Sequence, residues 1–503
     1  MREFEVALLV ANLLACLSWA SRKRPIVVKL GLTGVNVFAL AIHGAAEGFR
    51  GQMAFSYAFV VLYAVYAAAS AKLRMPNRLY ARIVKGAVAG LSALCLGLTA
   101  LAAYALPVFK LPSPTGDYDV GVKYAYLTDE RRVEPFLKEA SAMRQLAVKI
   151  YYPATRAAGK PYAAYFHDSP GLVEAFAAGY HMPAILFKQL TLVKTHAQEG
   201  VPVSGRQASY PVVLFSHGGG TTMEAHTAQC EDLASHGYVV VAVDHTYVAS
   251  AAELPGRVVT DRDATASFDE GDPLAAITQI MADDDSFVID ELAAFNAGEA
   301  DALLKGKLNL QAIGVVGHSL GGAAAYNLAV RDPRIKAAVN LDGAVYVASD
   351  PTKRIAPLLM LANDEFHLQA ISAREPLMKK WADMPDDERQ AVATAYGSQQ
   401  AYAEIYERQR LAIAGLADAL KTSGNLYSIE GSAHMKMSDI GLYVGSVFRR
   451  FVGINGSTSS EQCLAIVRAA TLTFLDQQLK QEPDASMDSV LHRYPKLHRE
   501  ANL

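Results

Sequence analysis

Residues 315–322 read Val-Val-Gly-His-Ser-Leu-Gly-Gly, and this octapeptide limits the fold more than any other stretch of the chain. An apolar run ends there in Gly317-x-Ser319-x-Gly321 and passes at once into the Ala-rich segment Ala323 to Val330. Strand, sharp turn and helix must follow one another without a loop, and only glycine two residues either side of the serine lets strand and helix approach so closely. The turn presents the Ser319 hydroxyl at the carboxyl edge of a sheet, as a nucleophile requires. A single match to this spacing is a weak signal, so the neighbouring segments have to decide its meaning.

Upstream, Pro211 to Phe215 reads as a buried strand running into Ser216-His217-Gly218-Gly219-Gly220. Glycines leave backbone N–H groups unhindered, so the N–H of Gly219 and that of Leu320 are the expected donors to an oxyanion. His217 is read as structural. A serine nucleophile also needs a base and an orienting acid, which in this fold class follow it in the order acid, then histidine. Asp342 follows the apolar run ending at Leu341, Asp364 follows the next one, and His434 lies in a loop just beyond Leu426 to Glu430. Each alone is an ordinary loop residue, but together they have the layout of a triad. Apolar runs near 147, 211, 238, 312, 336, 356 and 425 alternate with helical stretches. The expected fold is therefore the α/β-hydrolase class, a mostly parallel, doubly wound sheet with its site at the carboxyl ends of the strands.

These blocks together resemble the plasma-type (type II) platelet-activating factor acetylhydrolases over roughly residues 111 to 480. The likeness rests on Ala147 to Pro153, Phe215 to Gly218, Val239 to His245 with Ala249 to Ala251, Gly317 to Gly322, and Gly431 to His434 with Ser438-Asp439. The resemblance implies a serine esterase without a cofactor, acting on short or oxidised acyl groups of phospholipids. It also favours Asp342 over Asp364 as the acid. Two departures stand out. Gly219 occupies a place where the family leads one to expect a bulkier residue, which would widen the acyl pocket. The stretch between Asp342 and His434 is also long, and residues 366–422 are read as a helical cap inserted over the site.

The first 110 residues carry a different message. Phe4 to Ala20, Ile26 to about Ala46, Gln52 to Ala71 and Gly86 to Val108 are each near the length of about 20 residues that crosses a bilayer. Four spans are expected rather than a cleaved leader, because acidic Glu3 and Glu5 open the first and three more follow. Arg22, Lys23 and Arg24 lie in the first connection, and Lys72, Arg74, Arg78, Arg82 and Lys85 in or beside the third. With both basic loops cytoplasmic, the amino terminus and the hydrolase segment lie outside the cell. Lys29, His43 and Glu47 fall in or at the edge of the second span and are read as snorkelling side chains.

The organisation expected is thus a membrane segment at 1–110, a catalytic segment at 111–480 and a polar tail at 481–503. A net charge of −3 and the absence of a basic stripe give no case for nucleic acid. Sequence spacing shows no metal-ligand cluster, and acidic runs such as Asp283-Asp284-Asp285 and Asp269-Glu270-Gly271-Asp272 lack calcium-loop spacing. Cys230 and Cys463 are a possible disulfide in an oxidising compartment. The function expected is a membrane-anchored serine hydrolase of phospholipid esters. Alternatives are a carboxylesterase for small soluble esters, an acyltransferase on the same triad, and a membrane sensor with a silent hydrolase domain. Nothing in the sequence indicates an oligomeric state.

Overall fold

The long apolar runs of the amino-terminal segment fold into α1 (Glu3–Ala20), α2 (Ile26–Glu47), α3 (Ala54–Ala69) and α4 (Arg78–Ala105) in the computed structural model. The structure describes residues 1–20, 25–69, 78–138, 142–167, 171–266, 272–348, 355–363 and 366–500, so the connections carrying Arg22 to Arg24 and Lys72 to Arg74 lie outside it, as does Asp269 to Gly271. Ile26–Glu47, Gly51–Ala69 and Arg82–Ala105 are long and apolar enough to cross a membrane. These helices are apolar outside as well as inside, with Val27, Phe38 and Leu91 well exposed, a pattern that an amphipathic helix of a water-soluble domain does not show.

Inside this unit Trp19, Phe59, Tyr63 and Leu96 form an apolar cluster, and buried polar groups pair across helices. Asn12 Nδ2 donates to Ser56 Oγ at 2.6 Å. Arg50 reaches the Glu5 carboxylate at 2.7 Å and donates to the carbonyls of Ala103 and Leu106 at the end of α4, where a helix leaves acceptors unsatisfied. His43 differs from the snorkelling reading: it is fully buried, with Nδ1 2.9 Å from Glu47 and Nε2 2.9 Å from the Tyr57 hydroxyl. The unit also includes two later segments, His181–Val193 and Tyr443–Arg449. Gln52 donates to Gln189 Oε1 at 2.8 Å, the Gly445 N–H donates to Ala105 O at 2.9 Å, and Phe109 stacks on Tyr443 at 5.5 Å.

The second unit comprises residues 111–180, 194–442 and 450–503. Its strands are β1 (Asp119–Val133), β2 (Met143–Ala154), β3 (Ala197–Glu199), β4 (Tyr210–Ser216), β5 (Val239–Asp244), β6 (Ala252–Leu254), β7 (Arg257–Val259), β8 (Leu308–His318), β9 (Ile335–Leu341), β10 (Leu358–Asn363), β11 (Leu426–Ile429) and β12 (Leu497–Arg499). Ten of them form one sheet in the order β12-β11-β10-β9-β8-β4-β5-β2-β1-β3, and β6 with β7 makes a separate hairpin. The run from β11 to β5 is parallel, while β2 and β12 join its two sides antiparallel. Every apolar run read as a strand is one. Beyond that reading, β1, β3 and β12 extend the sheet, and the carboxyl-terminal stretch read as a polar tail supplies α13 (Met487–Arg493) and β12, burying Met487, Val490 and Leu497.

The remaining helices are α5 (Leu172–Gly179), α6 (Thr227–Ser235), α7 (Pro273–Ala297), α8 (Leu320–Arg331), α9 (Phe366–Ala373), α10 (Asp386–Ala395), α11 (Gln399–Ser423) and α12 (Ser460–Leu475). One apolar cluster joins the sheet to α7, α8 and α11, the other joins it to α6, α12 and α13. The sheet is therefore covered on both faces, which is why its central strands are mostly apolar rather than alternating. Cys230 and Cys463 both lie buried in the second cluster and are not joined by a disulfide.

Candidate active site

Ser319 sits between the end of β8 and the start of α8 with φ 57° and ψ −121°, a backbone conformation that a residue other than glycine adopts only where its surroundings enforce it. The enforcement is steric: a Cβ added at Gly317 would strike the Gly321 backbone, and one at Gly321 would strike the carbonyl of Ser216. The Ser319 N–H donates to Leu341 O at 3.0 Å, tying the elbow to the end of β9.

Beyond that end, Asp342 also has a positive φ of 56°, and its N–H donates to Leu361 O of β10 at 2.8 Å. Its carboxylate is fully buried and, among the described residues, accepts four hydrogen bonds. Oδ1 accepts from the Asn363 N–H at 2.9 Å and from His367 Nδ1 at 3.0 Å. Oδ2 accepts from Asn363 Nδ2 at 2.7 Å and from His434 Nδ1 at 2.7 Å. Burial alone would raise the pKa, but the hydrogen bonds and charge of His367 and His434 outweigh it and hold the carboxyl well below the usual range. Asp342 is thus held as an anion against His434 Nδ1, and among the described residues Nε2 of that ring makes no hydrogen bond. Asp364, the alternative acid, lies outside the described residues.

His434 is in the loop after β11, its side chain about one-third exposed. Its backbone oxygen accepts from His318 Nε2 at 3.0 Å, and the two rings stand 4.5 Å apart. Burial first, and then the neighbouring imidazoles, push the His318 pKa well down, so His318 braces the loop as a neutral ring. The elbow and the histidine loop are thereby joined through the residue preceding Ser319. Among the described residues, the Ser319 hydroxyl itself makes no hydrogen bond.

The glycine loop faces the same point. An added Cβ on Gly218 would stand 3.0 Å from Ser319 Cβ, and one on Gly219 would stand 2.7 Å from Leu320 Cδ1. Leu320 therefore fills the space that the missing side chain at 219 leaves. The loop is held by Gly220 N–H to Val248 O at 3.0 Å, Ser250 N–H to Thr221 O at 2.9 Å, and the Tyr180 hydroxyl to Gly220 O at 2.9 Å. Among the described residues, neither the Gly219 nor the Leu320 N–H is taken by another acceptor. His217 is buried, and burial followed by the charge of His245 lowers its pKa to about 3, consistent with a structural, neutral ring.

Sequence reasoning missed Asn363 and His367. Asn363 adjoins Asp364 at a strand end already singled out, but its role appears only once β9 and β10 are neighbours. His367 fell inside the segment read as a cap. With Asp342 and His434 it places three ligand-type atoms within 4.8 Å of one another, a cluster that spacings of 25 and 92 residues from Asp342 conceal.

Comparison with known proteins agrees with this architecture. The platelet-activating factor acetylhydrolase of Cavia porcellus is 24% identical over 395 residues, covering 73% of this chain and 78% of its own length. That of Canis lupus familiaris is 24% identical over 407 residues, covering 75% and 79%. A probable 1-alkyl-2-acetylglycerophosphocholine esterase of Arthroderma benhamiae is 26% identical over 250 residues, covering 47% of this chain and 60% of its own. Among solved structures, a ferulic acid esterase from Streptomyces cinnamoneus superposes with a TM-score of 0.55 at 24% identity, over 78% of this chain and 99% of its own, and so shares the fold. The sequence profile of platelet-activating factor acetylhydrolase, isoform II, matches residues 105–265 and 274–492, and on that match the chain belongs to this family of ester-cleaving hydrolases.

Proposed function

We propose that the chain is a membrane-anchored serine hydrolase that cleaves short-chain or oxidised acyl groups from phospholipids. The observation that carries the catalytic part is the buried Asp342 carboxylate, 2.7 Å from His434 Nδ1, beside a serine held in the elbow conformation. His434 Nε2 takes the Ser319 proton as Ser319 Oγ attacks the ester carbonyl, and Asp342 stabilises the imidazolium that forms. The N–H groups of Gly219 and Leu320 receive the oxyanion. Collapse of the tetrahedral intermediate breaks the ester bond, His434 returns the proton to the departing alcohol, and water then releases the acyl group by the same steps.

Family membership supports the ester class, and the names of the relatives support the acetyl phospholipid. Three helices of spanning length support the anchor, with α1 as the fourth span and residues 111–503 outside the cell. The inserted segment 366–422 caps the site and shapes its pocket. The test is ester hydrolysis across acyl lengths, from acetyl to long-chain and including an sn-2 acetyl phospholipid, on membranes carrying wild type or Ser319→Ala. Activity that depends on Ser319 and is greatest on the short-chain phospholipid is expected. Ser319-dependent activity confined to small soluble esters would replace the lipid substrate, and release independent of Ser319 would remove the mechanism.

A further inference from the structure

One carboxylate in this site serves two imidazoles, and a triad needs only one. Asp342 Oδ1 and Oδ2 stand 3.0 and 2.7 Å from His367 Nδ1 and His434 Nδ1, and the two rings are 6.0 Å apart at 35°. Two imidazole nitrogens and one carboxylate oxygen form the three-residue donor set of open Zn²⁺ sites, which leave the fourth position to water. The Asp342 side chain is fully buried, while those of His367 and His434 are 15% and 34% exposed, so an ion can arrive from the histidine side. Asn363 holds the carboxylate with its N–H and its amide at 2.9 and 2.7 Å, the kind of outer hydrogen bonding that orients a metal-binding carboxylate. Asp342 and Asn363 stand at the ends of β9 and β10, His367 lies in the first turn of α9, and His434 lies in the loop after β11.

We propose that Asp342, His367 and His434 form an inhibitory site for Zn²⁺ or another imidazole-preferring divalent ion, which silences the hydrolase reversibly by occupying its general base. Binding exchanges two N–H···O hydrogen bonds for two N–metal bonds. Each Nδ1 proton leaves to solvent and one is taken up at Nε2 of the same ring, the carboxylate supplies one oxygen, and nothing is oxidised or reduced. With Nε2 of His434 protonated and its ring held on the ion, Ser319 has no proton acceptor. Mg²⁺ and Ca²⁺, which prefer oxygen ligands, do not compete for this donor set. The inhibitory half rests on the proposed role of His434, whereas the binding half does not.

The test separates the two halves. Full-length Ser319→Ala protein in detergent micelles is titrated calorimetrically with Zn²⁺ alone, beside the same protein carrying His367→Phe or His367→Gln as well. One saturable Zn²⁺ per chain is expected, with affinity lower by at least about tenfold in both double variants. In the Ser319 forms, ester hydrolysis under buffered Zn²⁺ falls and returns on chelation, the inhibition midpoint moves by the same factor when His367 is replaced, and Mg²⁺ does not inhibit. Absence of saturable Zn²⁺ binding to Ser319→Ala, or binding and inhibition unchanged by both His367 replacements, overturns the proposal. Zn²⁺ binding without any Ser319-dependent hydrolysis would sustain the site and sink the catalytic reading instead.

Discussion

At residue scale, the site depends on backbone that only particular side chains permit. Gly321 lies against the Ser216 carbonyl, so Gly321→Ala forces the elbow and the strand beside it apart. Loss of labelling by a fluorophosphonate probe and a fall in thermal stability are expected together, whereas Ser319→Ala should lose turnover by several orders of magnitude while keeping its melting temperature. A second prediction concerns Asp439, whose Oδ2 accepts from the Ala228 N–H at 3.1 Å and the Tyr165 hydroxyl at 3.3 Å. Burial pushes its pKa up to about 8, while in the unfolded chain it ionises near pH 4, about the usual value. Between those values the folded protein binds the extra proton, so this group's contribution to stability is complete below about pH 4 and is lost as pH rises towards 8. Asp439→Asn, neutral throughout, should gain on the wild type in melting temperature as pH rises from 5 to 9. A difference independent of pH would show that the carboxyl is ionised in the fold.

At the scale of elements, legibility in the sequence followed burial. Strands β4 and β5 are buried along their whole length and, like the buried later parts of β8 and β9, read as mostly apolar runs. By contrast β1 carries Lys123, Asp129, Glu130, Arg131 and Arg132 within 15 residues, and β3 and β12, at three residues each, are too short to show a period. Helix α11 looks like a charged surface helix at its start, yet Ala412, Ile413, Leu416, Ala417 and Leu420 belong to the main core. Leu416→Ala should therefore cost about 2–4 kcal/mol in denaturant unfolding without moving the acyl-length preference, a separation that a residue lining the pocket would not show. Ser319, Asp342 and His434 could be singled out because each follows the end of an apolar strand. His367 could not, because nothing in the intervening sequence tells that the first turn of α9 comes back to the end of β9. Ending the chain after Ser486 removes β12 and leaves β11 as an open edge. A lower melting temperature and aggregation on heating are expected.

For the whole molecule, orientation across a membrane is the claim with the plainest readout. Asp484 is exposed, so a cysteine there should react with an impermeant thiol reagent on intact cells, while Cys230 and Cys463, both buried, stay silent. Reaction only after the cells are opened would put residues 111–503 on the cytoplasmic side. The amino-terminal unit also bears on how such a chain is inherited. Its contacts are completed by segments that come much later in the gene, through Gln189, Tyr443 and Gly445. A unit of this kind cannot be spliced onto another hydrolase, or cut from this one at residue 110, as an independent cassette. Tyr443 would lose the ring of Phe109, and Gly445 the carbonyl of Ala105. Residues 181–193 and 443–449 belong to the same unit, so exchanging the first 110 residues between relatives should succeed only when those two segments travel with them.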